Sequence, residues 1–470
     1  MDIDSVGRAN KSERATKTSG RRGAVLLAGA TVFVLAVSAC SSSGSKAADS
    51  STPAAGATTS SSSTGSASGS TADIPAGPMT LCVSVSLGGL TATQGQQNSY
   101  KAAADIVNQK YGGIAGHPIS FTLVNDQGKA NIAIENMNKF VADHKKNPNT
   151  CIAETGMDYD PSIQPNMVAI ANKAKMITIL DSSVDAYSDP SQYPYLFPIS
   201  PSDKSVGMAM GKYMASKGFK KWAVLTDGIP QEQEQVNDDL AGAKAAGLDA
   251  TVIKTATIAI GAVNVQTQLT ELRQSNPDVL LVMLGLGYGP VWSGLNTLGW
   301  NIPVVGDLAA FYFSTANLGS VAANAVSPAW WGQIPNHPDL PQNIVDVMNA
   351  IGPNVGAPHY PGLLISACVN MSKVLLIKYA VEKSNSVDPD KMKAALETLS
   401  DTPLWWQGAR FTYSATEHTS LVGPYSAGAM RMDKFATNGT FIYSTPDGSP
   451  LASKDSLAAL DSTSPVFPEK

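Results

Sequence analysis

Short apolar runs alternate with stretches of helical period, twice over, and this constrains the fold of the chain more than any other feature. LCVSVS (81–86), ISFTLV (119–124), CIAET (151–155) and MITIL (176–180) read as strands. Residues 96–110, 129–143 and 161–174 lie between them with helical spacing. Tyr100, Ala103, Ile106 and Val107 share one face of the first; Ile134, Met137, Phe140 and Val141 share one face of the second. The order βαβαβαβ predicts a parallel sheet covered by helices.

The pattern then restarts. Ser202 is placed to cap a helix carrying Val206, Met210, Tyr213 and Met214. WAVLT (222–226), ATVIK (250–254), DVLLVML (278–284) and IPVVG (302–306) read as strands. Helices fall at 231–246, around Val265–Leu272 and at 289–298. A long helix is predicted over Pro361–Ser384, and Asp388-Pro389 starts another, a cap followed by proline at the first helical position. The expected fold class is α/β, with two doubly wound parallel-sheet lobes joined by a hinge. Ligands bind beyond the carboxyl ends of parallel strands, so two such lobes can close a cleft on a small molecule.

Composition narrows the function. The chain has 470 residues, and its 33 Lys+Arg against 38 Asp+Glu give a net charge of −5, which argues against nucleic acid as a partner. A mean hydropathy of −0.04 excludes a polytopic membrane protein. GxSxG, HExxH, GxxxxGK and CxxC motifs are absent, and the five histidines show no metal-ligand spacing. GLGYG (285–289) is a glycine cluster after a strand but not a dinucleotide fingerprint. No enzyme, metal or cofactor is expected.

The N-terminus points to export. Six basic residues between Arg8 and Arg22 precede an uncharged run, Ala24–Val37. As a helix that run spans roughly 21 Å against roughly 30 Å of hydrocarbon, short for a permanent span and suited to a signal peptide. It ends in Val37-Ser38-Ala39-Cys40, which resembles a bacterial lipobox; the resemblance implies cleavage before Cys40 and a lipid on its thiol. The plainer alternative is an ordinary signal peptide with an incidental cysteine. Arg21-Arg22 raises twin-arginine export without the rest of that motif. Removing residues 1–39 leaves 27 basic and 35 acidic residues, a charge of −8, so lipid rather than charge would hold the protein at the membrane. Residues 41–72 are Ser, Thr, Ala or Gly except Lys46, Asp49 and Pro53, a composition for a tether. Cys82 and Cys151 lie near the starts of strands one and three, adjacent in such a sheet, and are expected to pair. Cys368 reads as a buried thiol.

From about residue 80 to 435 the sequence resembles the type I periplasmic binding proteins, specifically the leucine/isoleucine/valine-binding receptors of ABC importers. The resemblance is carried by Gly89–Gly95 after the first strand, Ala102–Asn108 followed by Gly112-Gly113-Ile114-Ala115-Gly116, Asn125-Asp126, Tyr195–Pro198 with Ser202-Asp203, Leu295–Pro303, and WWQGARF (405–411). Departures fall in loops that contact ligand in that family. Gly88 replaces Thr or Ser, Glu154-Thr155-Gly156 replaces Gly-Pro, and Asp227–Pro230 lacks Tyr-Gly. The ligand is therefore expected to differ from leucine-like amino acids.

Expected divisions are a signal peptide (1–39), lipidated Cys40 with its tether (40–72), lobe one (73–200), lobe two (201–330) and returning segments shared by both lobes (331–470). The resemblance implies ligand contacts from lobe one at Ser86, Gly88, Gly89, Thr155, Ser182 and Ser183, with Asp158–Asp160 as a further polar loop. Lobe two supplies Asp227, Tyr288 and Asp307, with Asp307 where the family often holds an α-ammonium. For the hydroxyls and Asp307 the competing reading is helix capping. Trp330-Trp331 and Trp405-Trp406 line the cleft, Trp330 as a contact, or simply pack between lobes. No Lys or Arg occurs in 226–239 or 285–319, which favours a zwitterion or amine over a dianion. The function implied is an extracytoplasmic receptor, monomeric and lipid-anchored at the outer face of the cytoplasmic membrane. It would deliver a small polar molecule to ABC permease subunits; a ligand sensor on the same fold is the alternative. If Cys40 carries the anchor, Cys40→Ala yields unprocessed or released protein on membrane fractionation; normal processing and retention would exclude the anchor.

Overall fold

The computed structural model describes residues 73–87, 96–156, 163–200, 202–285, 288–307, 325–329, 361–404, 409–420, 428–435 and 441–444. The leader, Cys40, the tether, Gly88, Gly89, the Asp158–Asp160 loop and both tryptophan pairs lie outside these residues.

The first lobe contains β1 (Met79–Val85), α1 (Gln96–Tyr111), β2 (Ile119–Asn125), α2 (Ala130–Lys146), α3 (Gln164–Lys173), β3 (Thr178–Leu180) and β4 (Leu196–Pro198). β1 and β2 pair in parallel from Met79↔Ile119 to Val85↔Asn125, and β3 pairs with β4 in parallel. Residues 152–155 join these pairs. Ile152 N–H donates to the Thr80 carbonyl and Thr155 N–H to Cys82, while Glu154 N–H donates to Ile177 on the other side. The order is thus β2, β1, residues 152–155, β3, β4. The expected strand over 151–155 is reduced to a bridge at Glu154, because Cys151 sits at φ +54°, outside extended backbone. Cys82 and Cys151 are joined in a disulfide with Cα atoms 4.9 Å apart. Closing a loop of 69 residues, it removes about 4 kcal/mol of unfolded-chain entropy.

Hydrophobic burial explains the arrangement. β1 is apolar and buried on both faces, as a central parallel strand must be. Ala103 and Val107 of α1 cover one side, Met137 and Phe140 of α2 the other, all fully buried. The turn after α1 needs glycine at 113: its φ is +78°, and a Cβ would lie 2.0 Å from the His117 carbonyl oxygen.

The second lobe contains α4 (Asp203–Lys217), β5 (Lys221–Thr226), α5 (Pro230–Ala245), β6 (Thr251–Thr257), α6 (Gln266–Gln274), β7 (Val279–Met283), α7 (Tyr288–Leu298), β8 (Val304–Gly306) and β9 (Ala325–Ala329). Beyond it come α8 (Pro361–Ser384), α9 (Pro389–Leu396), β10 (Leu399–Leu404), β11 (Ala409–Ser414), β12 (Glu417–Ser420), β13 (Gly428–Phe435) and β14 (Phe441–Ser444). The second sheet runs β14-β13-β9-β8-β7-β5-β6. β6 to β9 are parallel through β5, and β13 and β14 add antiparallel at the edge. β8 begins two residues after the expected Ile302, since Pro303 has no N–H for a ladder. α8 packs on α1 of the first lobe. β10–β12 form an antiparallel sheet fixed to β4: Tyr413 donates its hydroxyl proton to the Pro198 carbonyl (2.6 Å), and His418 Nδ1 meets the Leu196 carbonyl at 2.7 Å. Asp388 caps α9, accepting from the Lys391 N–H. No helix among the described residues is long and apolar enough to cross a membrane.

α4 and α5 meet at close range. A Cβ on Gly211 would lie 2.2 Å from the Asp239 carbonyl oxygen, so only glycine permits the approach. The contact seals Asp239, which is fully buried with neither carboxyl oxygen hydrogen-bonded. Burial, then the charges of Asp238 and Asp203, pushes its carboxyl well above the usual range. A raised folded-state value means stability is full below the unfolded value and is lost as pH rises through the folded one. Asp239→Asn therefore raises the melting temperature at pH 7, by a margin that shrinks as pH falls toward about 4. Thermal melts across that window check it; equal destabilisation at both ends would mean that Asp239 is stabilising.

Candidate functional site

The carboxyl ends of β5, β7 and β8 bring together the acids of the second lobe. Asp227 follows β5 and turns the chain: Oδ1 accepts from the Ile229 N–H (3.2 Å) and Oδ2 from the Gly285 N–H beyond β7 (3.1 Å). It thus ties two strand-end loops together. Asp307 follows β8 and is 5% exposed. The Tyr288 hydroxyl, from the first residue of α7, lies 2.6 Å from Asp307 Oδ1 and 2.7 Å from the Val282 carbonyl, with one proton to give. Tyr288 itself is fully buried, so it acts by orienting Asp307.

Glu232 completes this group. Pro230 at the first turn of α5 starts the helix directly after the Asp227 loop, which brings Glu232 inward at the strand end. Glu232 is 7% exposed, shares a hydrogen bond with Asp307, and its Oε2 has no hydrogen-bond partner. Burial pushes the Glu232 carboxyl well above the usual range, and the charges acting on it, from Asp307, Asp227 and Asp203, are all acidic. Burial likewise raises Asp227 and Asp203. Such a group is costly unless a cation enters or protons are retained. Among the described residues no cluster of His, Cys, Asp or Glu has metal-site geometry.

The first lobe contributes hydroxyls. Ser86 directly follows β1 and is buried. Thr155 ends the middle segment, fully buried, and its Oγ1 has no hydrogen-bond partner. Ser182 and Ser183 follow β3. The Ser182 hydroxyl donates to Gln164 Oε1 (3.2 Å), and Ser183 Oγ accepts from Gln231 Nε2 (2.9 Å), while the Asp203 N–H donates to the Ser183 carbonyl (2.7 Å). Ser183 therefore joins β3 of one lobe to α4 and α5 of the other. Asp126, at the end of β2, accepts from the Ser84 hydroxyl and the Gly128 N–H, which makes it a turn residue.

Sequence reasoning gave no site role to Glu232, Lys373 of α8 or Asp203, which it named only within a family motif. A signal for Glu232 existed: Val236, Gly242 and Ala243 mark the buried stripe of α5, and Glu232 and Asp239 fall on it at helical spacing. Lys373 sits within the apolar run of α8, fully enclosed, its Nζ donating to the Thr155 carbonyl (2.8 Å).

The model of a family described as periplasmic binding protein matches residues 78–431. Nothing matches among curated proteins. Similar solved structures include a periplasmic binding protein type 1 from Bordetella pertussis Tohama I, 17% identical, covering 78% of this chain and all of that one, at TM-score 0.66. An ABC-transporter solute-binding protein from R. palustris in complex with benzoate is 18% identical over 78% of this chain and 95% of its own, at 0.63. An ABC-transporter substrate-binding protein from Desulfitobacterium hafniense in complex with Leu is 15% identical over 78% and 99%, at 0.60. At such identities these likenesses speak for the fold, whereas the family model covers most of the chain. Matched strands, strand-end acids and a residue bridging two lobes lead to one conclusion: this chain belongs to the type I periplasmic binding proteins.

Proposed function

We propose that the protein is an extracytoplasmic solute-binding lipoprotein that captures a small amine-bearing polar molecule for an ABC importer. The observation that carries this reading is the buried Glu232–Asp307 pair with Asp227 beside it, an acidic group with one carboxyl oxygen unpartnered. An ammonium supplies the opposite charge and the missing donors together, and charge-assisted hydrogen bonds are the strong ones. An anion placed there meets like charge in a partly desolvated setting. Binding rather than catalysis is the economical role, because closure of two lobes needs affinity alone. Solved neighbours that hold Leu and benzoate support small-molecule capture by this fold. The lipid at Cys40 and the tether would keep the receptor beside its permease.

A thermal-shift screen of the protein against amino acids, amides, polyamines, aromatic acids and sugars tests the reading. A ligand at 100 times its Kd adds about 2.7 kcal/mol to stability. Amine-bearing compounds are expected to stabilise the wild type, and Asp307→Asn to weaken them by about 1.5–3 kcal/mol in calorimetry. Stabilisation confined to compounds without a cationic or donor group, or equal binding by Asp307→Asn, would contradict it.

A further inference from the structure

The face of the first lobe away from its strand carboxyl ends is where the chain enters the folded body. The Asp73 N–H donates to the Asn385 carbonyl (3.2 Å), and the Asp73 carboxylate pairs with Lys391 of α9. Asn149, after α2, donates Nδ2–H to the Pro75 carbonyl (2.7 Å), and His117 Nδ1, before β2, meets the Gly77 carbonyl at 2.7 Å. The Ala115 N–H donates to Glu382 Oε1 near the end of α8 (2.8 Å), and Lys175, after α3, pairs with Asp390 of α9 (2.9 Å). These contacts join the chain's entry, the turns before β2 and β3 and the ends of α2 and α8 into one contiguous surface. Topology is the cause: a helix that returns between parallel strands ends where the next strand begins.

This surface carries unbalanced positive charge. Lys110 lies in the last turn of α1, Lys145 and Lys146 in that of α2, Lys173 in that of α3 and Lys383 in that of α8. All five are exposed, and among the described residues none forms an ion pair. The acids nearby already have partners: Asp73 and Asp390 hold Lys391 and Lys175, Glu382 holds Lys378, and Asp143 holds Lys139. Asp388 remains, and it caps α9. A lysine in a last helical turn complements the helix dipole, which accounts for single residues. It accounts equally for Lys217 and Lys244 in the last turns of α4 and α5 of the second lobe. The two lobes differ in one respect: segment 41–72 joins the body at Asp73, beside the first lobe's lysines. A leash anchored at Cys40 would therefore hold the body by this face.

We propose that this lysine face of the first lobe is an interaction surface for an anionic lipid leaflet. The inference goes beyond solute capture and rests on the lipoprotein reading only in placing a leaflet within reach. Headgroup phosphates supply the anionic partners that the five lysines lack, and each lysine adds attraction within a Debye length of the surface. Beyond residue 39 the chain has 27 basic and 35 acidic residues, so its remaining surface is net negative and repelled by the same leaflet. Attraction at one face and repulsion elsewhere fix an orientation. The strand carboxyl ends of the first lobe, where Ser86 and Thr155 lie, then point away from the leaflet into solution.

Lysine acetylation footprints of the mature protein, with vesicles of phosphatidylcholine alone or mixed with phosphatidylglycerol, test it. With the anionic vesicles Lys110, Lys145, Lys146, Lys173 and Lys383 are expected to label at least about threefold more slowly than with the neutral ones, as partition of a basic face to a charged leaflet requires. Lys217 and Lys244 should label at the same rate in both. Raising salt from about 0.1 M to about 1 M shortens the Debye length from about 10 Å to about 3 Å and should erase the protection. Lys145→Glu with Lys146→Glu, both at exposed positions, should leave the melting temperature unchanged and remove the protection of Lys110, Lys173 and Lys383. Equal labelling with both vesicle types, equal protection of Lys217 and Lys244, or protection that survives high salt or the double variant overturns the surface. Retention on neutral vesicles reads the Cys40 lipid separately. Its absence contradicts the lipoprotein reading, while recruitment by phosphatidylglycerol with the same footprint would still support this face.

Discussion

Everything at the second lobe's strand ends is organised around the difficulty of burying like charge. Asp227, Asp307 and Asp203 lie within electrostatic reach of Glu232, and burial alone raises Asp227, Glu232 and Asp203. A fold tolerates such a group when each carboxyl is either held by donors or kept neutral. Asp227 is held by two backbone N–H groups, Asp307 by Tyr288, and Glu232 by a hydrogen bond with Asp307. Their geometry also requires fixed neighbours. Tyr288 gives up all exposure to orient Asp307, and the Ser327 hydroxyl fixes the Asp307 carbonyl (2.7 Å) from β9.

The first lobe supplies buried hydroxyls on a fixed frame. Its central segment is pinned to β1 by the Cys82–Cys151 disulfide and by backbone hydrogen bonds on both sides, so Thr155 sits on a rigid support. Lys373 holds the Thr155 carbonyl from a helix that arrives late in the chain. Ser183 links the two regions through Gln231 and Asp203.

How much of this was legible in the sequence follows from where each residue's signal lies. WAVLT and DVLLVML stood out because parallel strands buried on both faces leave unbroken apolar runs. β13 did not, since Arg431, Asp433 and Lys434 interrupt its apolar residues, and β9 contains Pro328. The segment around Glu154 read as a strand from its apolar residues, yet the left-handed Cys151 confines it to a bridge. Asp227, Tyr288 and Asp307 were visible because a parallel sheet exposes its chemistry at strand ends. Glu232 and Lys373 were not, because a charged residue on a helix ordinarily reads as a solvated face. Only the packing of α5 on the second sheet and of α8 on α1 turns those two inward.

The central claim is that the buried Glu232–Asp307 pair exists to receive a cation, and proton linkage tests it most directly. Burial favours the protonated form of Glu232, whereas an arriving ammonium favours the ionised one. Calorimetric titration of an amine-bearing compound that stabilises the protein, run in buffers of different ionisation enthalpy, counts the protons exchanged. The account predicts net proton release on binding and an affinity that falls as pH is lowered from about 8 to about 5. A heat independent of buffer, together with an affinity flat across that window, would contradict it.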